Sequence, residues 1–219
     1  MKKIPIESDA FQKRSWESLK KLKEFRERHA FVFMPQSAAL LVIDMQRYFL
    51  DRRSHAFIPD APLITGQIKN LSAAFLKMNL PVILTRHINT QRNAKLMGKW
   101  WKDVITKKSR LSRIIPELDF PGATVIKKTQ YDAFYQTNLE NLLKAKKVTQ
   151  VVITGVATHL CCETTARSAF MRGFTVFLPV DGTATFAESF FEASLLNLAH
   201  GFAIPVLCEE LMSRMEVSP

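Results

Sequence analysis

Six short runs along the chain are apolar on both alternating faces: residues 38–43, 81–85, 123–126, 148–154, 174–180 and 203–207. Such runs suit strands buried on both sides of a parallel sheet rather than strands with one wet face. Between them the apolar positions change to helical spacing, as in Ile64, Ile68, Leu71, Ala74, Phe75 and Met78. Residues 138–144, 158–172, 190–199 and the tail 209–215 read the same way. Strand and helix thus alternate, predicting right-handed βαβ units and an α/β fold: a three-layer αβα, Rossmann-like parallel sheet covered on both faces. Ahead of these units, Trp16, Leu19, Leu22 and Phe25 recur by threes among many charges, predicting an amphipathic helix within residues 1–32 that packs on a main domain of residues 33–219 or on another subunit.

With 219 residues, 47% of them hydrophobic, the chain can bury one substantial core, and no linker divides it. Its apolar runs are too short to span a bilayer, and Met1-Lys2-Lys3 leads into polar residues rather than the apolar region of a signal peptide. Three cysteines, two of them adjacent, make no disulfide framework, and a reducing cytoplasm is the expected compartment. The net charge of +11 is spread over residues 2–28 and 100–113 without a nucleic-acid motif. It therefore reads as a solvated face or as attraction for an anionic small-molecule substrate.

Chemistry concentrates in residues 148–166. A strand ends at Gly155, and a helix begins near Thr158, a residue type suited to the N-cap. Cys161 would lie in the first turn, where free N–H groups and the helix dipole favour thiolate over thiol. Buried packing of Cys161 and Cys162 is the competing reading. Asp44 closes the first strand, and catalytic groups of open α/β sheets lie past the carboxyl ends of strands. Lys127 and Lys128 end the third strand, and alternation lets only one of them face a site.

Gly155-Val156-Ala157-Thr158-His159-Leu160-Cys161 resembles the G-V-x-T-[DH]-x-C signature of the isochorismatase-like cysteine hydrolases. Asp44-Met45-Gln46-Arg47-Tyr48-Phe49 resembles that family's D-M-Q-x-x-F, and Lys128-Thr129-Gln130-Tyr131-Asp132-Ala133-Phe134 its K-x-x-Y-S-A-F, with Asp132 in place of serine. The resemblance covers about residues 33–212. It implies a triad of Asp44 as base, Lys128 as charge partner and Cys161 as nucleophile. It implies also a cis peptide between Val156 and Ala157 and an oxyanion hole of the Ala157 and Cys161 N–H groups. Gln46, Phe49, His87, Trp100, Tyr131, Phe134 and Thr158 are the residues expected to contact substrate. Where nicotinamidases carry a metal motif, His87 and Asn89 stand here, too few donors for a divalent cation, so no metal or other cofactor is expected.

The activity implied is hydrolysis of a small-molecule C–N bond through a thioester. Vinyl-ether hydrolysis is the alternative, and a non-catalytic binding protein that keeps the fold is another. The expected partners are the substrate and further copies of the chain in a dimer or tetramer, without nucleic acid or membrane.

Overall fold

The computed structural model describes residues 8–28 and 31–216; residues 1–7 and 29–30 of the segment expected to hold the N-terminal helix lie outside them. Among the described residues seven strands form one sheet: β1 (Ala38–Ile43), β2 (Val82–His87), β3 (Thr124–Lys128), β4 (Gln150–Val156), β5 (Thr175–Pro179), β6 (Thr183–Ala184) and β7 (Ile204–Val206). Their order is β3-β2-β1-β4-β5-β7, with β6 on β4 past the end of β5, and every ladder is parallel.

Alternation along β1 divides the core in two. Ala39, Leu41 and Ile43 face one layer, with Leu143, Ala166, Leu195 and Leu198 from the helices Leu139–Ala145, Glu163–Met171 and Glu188–Gly201. Ala38, Leu40 and Val42 face the other, with Ile64, Leu71 and Phe75 of the helix Ala61–Lys77 and Leu211 of the helix Cys208–Glu216. This is the expected three-layer α/β architecture, and the βαβ alternation explains it: the central strands β1 and β4 are buried along their whole length because each is covered twice, whereas the edge strand β3, expected to be buried on both faces, leaves Thr124, Val125 and Lys127 exposed. No helix among the described residues is long and apolar enough to cross a membrane.

The N-terminal helical segment, Ser8–Lys21 followed by Lys23–Arg28, packs on this same chain. Phe11 joins one core layer while Leu19 and Leu22 join the other. Arg14 pairs with Asp60 and Glu188, both at 2.9 Å, and Arg26 with Glu210 at 2.6 Å. The buried stripe is Phe11, Ser15, Ser18, Leu19 and Leu22, so the spacing by threes misplaced Trp16, which is 59% exposed. A true helical stripe steps by threes and fours alternately, and a run of threes drifts off the face.

The chain leaves β1 towards β2 on one side, and β4 lies on the other. That reversal makes the crevice past the carboxyl ends of β1 and β4 the topological switch point. Register brings Ile43 level with Gly155. Gly155 has φ +105°, and a Cβ there would lie 2.1 Å from the Ile43 carbonyl oxygen, so only glycine lets the two strand ends come so close.

Candidate active site

Asp44 follows β1 with φ +47°, a left-handed conformation that aspartate tolerates better than most residues. Thr85, on β2, fixes it twice: the Thr85 hydroxyl donates to Asp44 Oδ1 at 2.7 Å and accepts the Asp44 N–H at 3.0 Å. On β3 the pleat turns Lys127 to solvent and buries Lys128. Past β4, the Val156–Ala157 peptide is cis. The next turn, Thr158–Cys162, is a π-turn before the regular helix, and the Ala157 carbonyl accepts the N–H groups of Leu160 and Cys162 on either side of Cys161. Thr158 does not cap this helix. Ala157 is the N-cap of the π-turn and Cys162 that of the regular helix, and the Thr158 hydroxyl is buried without a hydrogen-bond partner.

These three elements bring Asp44, Lys128 and Cys161 together. Lys128 Nζ lies 2.7 Å from Asp44 Oδ2 and 3.4 Å from Cys161 Sγ. Its remaining acceptors are the carbonyls of Gln130 at 2.9 Å and Tyr131 at 3.2 Å. Burial lowers the pKa of Lys128, but Asp44 and Cys161 outweigh it, and the pKa stands above its ordinary value: the ammonium persists. Burial pushes the Cys161 thiol up to about 12, and Asp44 adds to the rise while Lys128 opposes it. The resting group is thus a thiol, not the thiolate that a first-turn position suggests. Desolvation in a closed site outweighs the pull of a short, irregular first turn.

His87 ends β2 beside them. Asn89 donates through Nδ2 to the Thr129 carbonyl at 2.9 Å, which turns its Oδ1 to accept from His87 Nε2–H. The other ring nitrogen, Nδ1, therefore presents its lone pair to Lys128 Nζ at 3.5 Å. Burial, then the Lys128 charge, lower the His87 pKa to about 4, so the ring is neutral near pH 7. Because the folded pKa lies below the unfolded 6.5, stability from this group is lost as pH falls through 6.5 towards 4. Urea unfolding at pH 7 and pH 4 should show wild type losing about 3 kcal/mol more than His87→Gln. Equal losses would refute a buried neutral His87.

Neither nitrogen of His87 is free for a metal: one donates to Asn89 and the other faces an ammonium. A cation there would also be repelled by Lys128. Among the described residues no cluster of three His, Cys, Asp or Glu could hold one. The residues present do not fit a metal site.

Cys161 lies in the floor of a cleft of about 260 Å³. Tyr48, Phe49, Trp101, Tyr131 and Phe186 wall it, with Met97, Ile105 and Leu160 between them. Of the expected contact residues, Phe49, His87 and Tyr131 line this cleft. Trp100 does not: it is 78% exposed, and its neighbour Trp101 turns inward and donates to the Tyr131 hydroxyl at 2.6 Å. Phe134 is core, stacked on Phe174. The Gln46 amide is fully occupied by backbone: Nε2 donates to the His87 and Ser112 carbonyls, and Oε1 accepts the His87 N–H at 2.7 Å. It clamps β2 to the loop beside it rather than facing substrate. Of the two adjacent tryptophans sequence reasoning settled on Trp100 where Trp101 lines the cleft, and it missed Thr85, inside β2, and a polar group at the cleft mouth: Tyr48 on the short helix Arg47–Leu50, with His55 and Asp103 in loops without periodicity.

A doubly covered parallel sheet with cysteine, carboxylate and ammonium at its switch point defines an α/β enzyme of the Rossmann-like kind. Comparison with known proteins places it further. The family model for the isochorismatase domain matches residues 38–210. Nicotinamidase 3 of Arabidopsis thaliana is 38% identical over 179 residues, covering 80% of this chain and 86% of that protein. Enterobactin synthase component B of Escherichia coli strain K12 is 33% identical over 189 residues, 83% of this chain but 65% of that longer protein. In structure, a cysteine hydrolase from Pseudomonas syringae pv. phaseolicola superposes with a TM-score of 0.81 at 23% identity, covering 85% of this chain and 95% of the other, a likeness of fold. The chain belongs to the isochorismatase family and is a hydrolase.

Proposed function

We propose that the protein hydrolyses the C–N bond of a small amide or carbamoyl compound with Cys161 as nucleophile, Asp44 as acid and base, and Lys128 as fixed counter-charge. The observation that carries this reading is one buried ammonium placed 2.7 Å from Asp44 and 3.4 Å from the Cys161 sulfur, at the floor of a cleft open to a small molecule.

Cys161 Sγ attacks the carbonyl carbon as its proton passes to Asp44, and Lys128 holds the negative charge that moves between sulfur and carboxylate. The oxyanion takes the N–H groups of Ala157 and Cys161, donors of a kind worth about 3 kcal/mol each in other hydrolases. Collapse expels the amine, which leaves with the proton held by Asp44. Water then attacks the thioester, Asp44 takes its proton, and the acid departs as the thiol reforms. Because the resting group is a neutral thiol, proton removal belongs to the chemical step rather than preceding it.

The likeness to a protein named as a nicotinamidase supports C–N cleavage, as does a sulfur nucleophile, which vinyl-ether hydrolysis does not need. Likeness to proteins named for isochorismate chemistry motivates that ether as the control substrate. Purified protein should release ammonia from small amides or ureides and leave isochorismate intact, and dialysis against a chelator should leave the rate unchanged. Cleavage of isochorismate alone, or loss of activity on chelation with recovery on adding zinc, would overturn the reading.

A further inference from the structure

The mouth of the cleft holds a polar cluster that the triad does not use. Tyr48 donates its hydroxyl to Asp103 Oδ2 at 2.6 Å. Since that hydroxyl has one proton, the 3.0 Å contact from His55 Nε2 must be a donation from histidine to the Tyr48 oxygen. Asp103 Oδ1 accepts its neighbour's N–H, from Val104, at 2.7 Å. Burial and the Asp103 carboxylate hold the Tyr48 phenol protonated, so its donation persists across neutral pH.

Charge in the cleft is one-sided. Below, the Asp44 and Lys128 charges cancel one another. Above, Asp103 is a carboxylate on the lining, and neither lysine nor arginine lines the cleft among the described residues. The basic residues of the stretch 92–113 account for much of the chain's +11, yet none of them lines the cleft. A substrate carboxylate reaching this mouth would meet an aromatic wall or a like charge, and the basic side chain there, His55, already turns its Nε2 to the Tyr48 oxygen and to Asp103 Oδ2, 3.3 Å away. An amine or N–H group would meet an acceptor with lone pairs to spare, half out of water and already oriented by two donors.

We propose that Asp103, oriented by Tyr48 and His55, is a specificity subsite that takes a cationic or N–H donor group at the end of the substrate remote from the scissile carbonyl, and that the cleft rejects carboxylate-bearing substrates. This rests on the C–N hydrolase reading only for which bond is cut. The subsite itself selects by charge whether or not turnover follows, and the experiment separates the two.

Three matched probes differ in the remote group alone: 4-(aminomethyl)benzamide, benzamide and 4-carbamoylbenzoate. Their binding is measured by calorimetry on full-length Cys161→Ala protein, and their hydrolysis on the wild type. The aminomethyl compound should bind at least about tenfold more tightly than the carboxylate, the ratio expected of one partly screened ion pair. Asp103→Asn should bring the two within about threefold, and Asp103→Lys should invert the order. A wild-type cleft that binds the carboxylate as well as the amine, binds none of the three, or keeps its ratio in Asp103→Asn overturns the subsite. Binding in the predicted order without hydrolysis of any probe leaves the subsite standing and refutes the C–N reading instead.

Discussion

Cys161→Ala should lose about four orders of magnitude or more in turnover, while Cys162→Ala and Cys208→Ala stay within a few-fold of wild type. The contrast comes from position rather than residue type. Cys161 is 5% exposed and opens onto the cleft, whereas Cys162 and Cys208 are 0% exposed and line no part of it. Cys162 Sγ turns to the Thr154 carbonyl at 3.9 Å, and burial first, then neighbouring negative charge, raise both other thiols well above the ordinary value. Iodoacetamide should therefore modify Cys161 first, and inactivation should track that modification. Because the thiol pKa is pushed up to about 12, alkylation should be slow at pH 7 and quicken about tenfold per pH unit towards pH 9. Modification of Cys162 ahead of Cys161, or a rate that levels off below pH 8, would contradict the assignment. A plateau would mean that a thiolate is present at rest.

The sheet and the meeting of Asp44, Lys128 and Cys161 were legible in the sequence because each depends on a strand end. A strand apolar on both faces, followed by one reactive residue, fixes that residue at the carboxyl edge; the pleat allows only one of Lys127 and Lys128 to face the site, and the motif resemblance, through its spacing to Tyr131, picked out Lys128. What was not legible depended on loops or on burial. Trp100 and Trp101 are adjacent, and no periodicity spans the short helix Leu96–Trp100, so nothing in the pattern says which indole turns inward. Gln46 has a side chain that suits substrate amides, and the same chemistry suits the backbone of His87 and Ser112, which took it. Phe134 and Tyr131 sit in one motif, yet one packs on Phe174 and the other opens to the cleft. The protonation state of Cys161 was misread because dipole arguments assume a wet helix end, and here the sulfur is almost wholly buried at the base of the cleft. Asp103 lies in a loop where sequence offered no strand end to anchor a prediction, so its place opposite Tyr48 emerged only in three dimensions.

Lys128→Met should cost about three orders of magnitude in turnover and about 3 to 5 kcal/mol in stability, while Lys127→Met changes stability by no more than about 0.5 kcal/mol and turnover hardly at all. Both side chains leave the same edge strand one residue apart, but Lys127 points to solvent and Lys128 has an ion pair whose two side chains are fully buried. Removing the ammonium leaves the Asp44 carboxylate in the core with only neutral side-chain donors, the Thr85 hydroxyl and the Cys161 thiol, an uncompensated charge that folding must now desolvate. Lost activity could then follow from unfolding alone. The double variant Lys128→Met/Asp44→Asn separates the two effects because it removes both charges together. It should recover a large part of the lost stability, since an amide in place of the carboxylate no longer needs a counter-charge, and it should recover none of the turnover, since the base is gone. Urea unfolding and steady-state rates on the four proteins, wild type, both singles and the double, complete the cycle. If the double is as unstable as the sum of the singles, Asp44 and Lys128 do not form one coupled pair; if it regains turnover, Asp44 is not the group that handles the Cys161 proton.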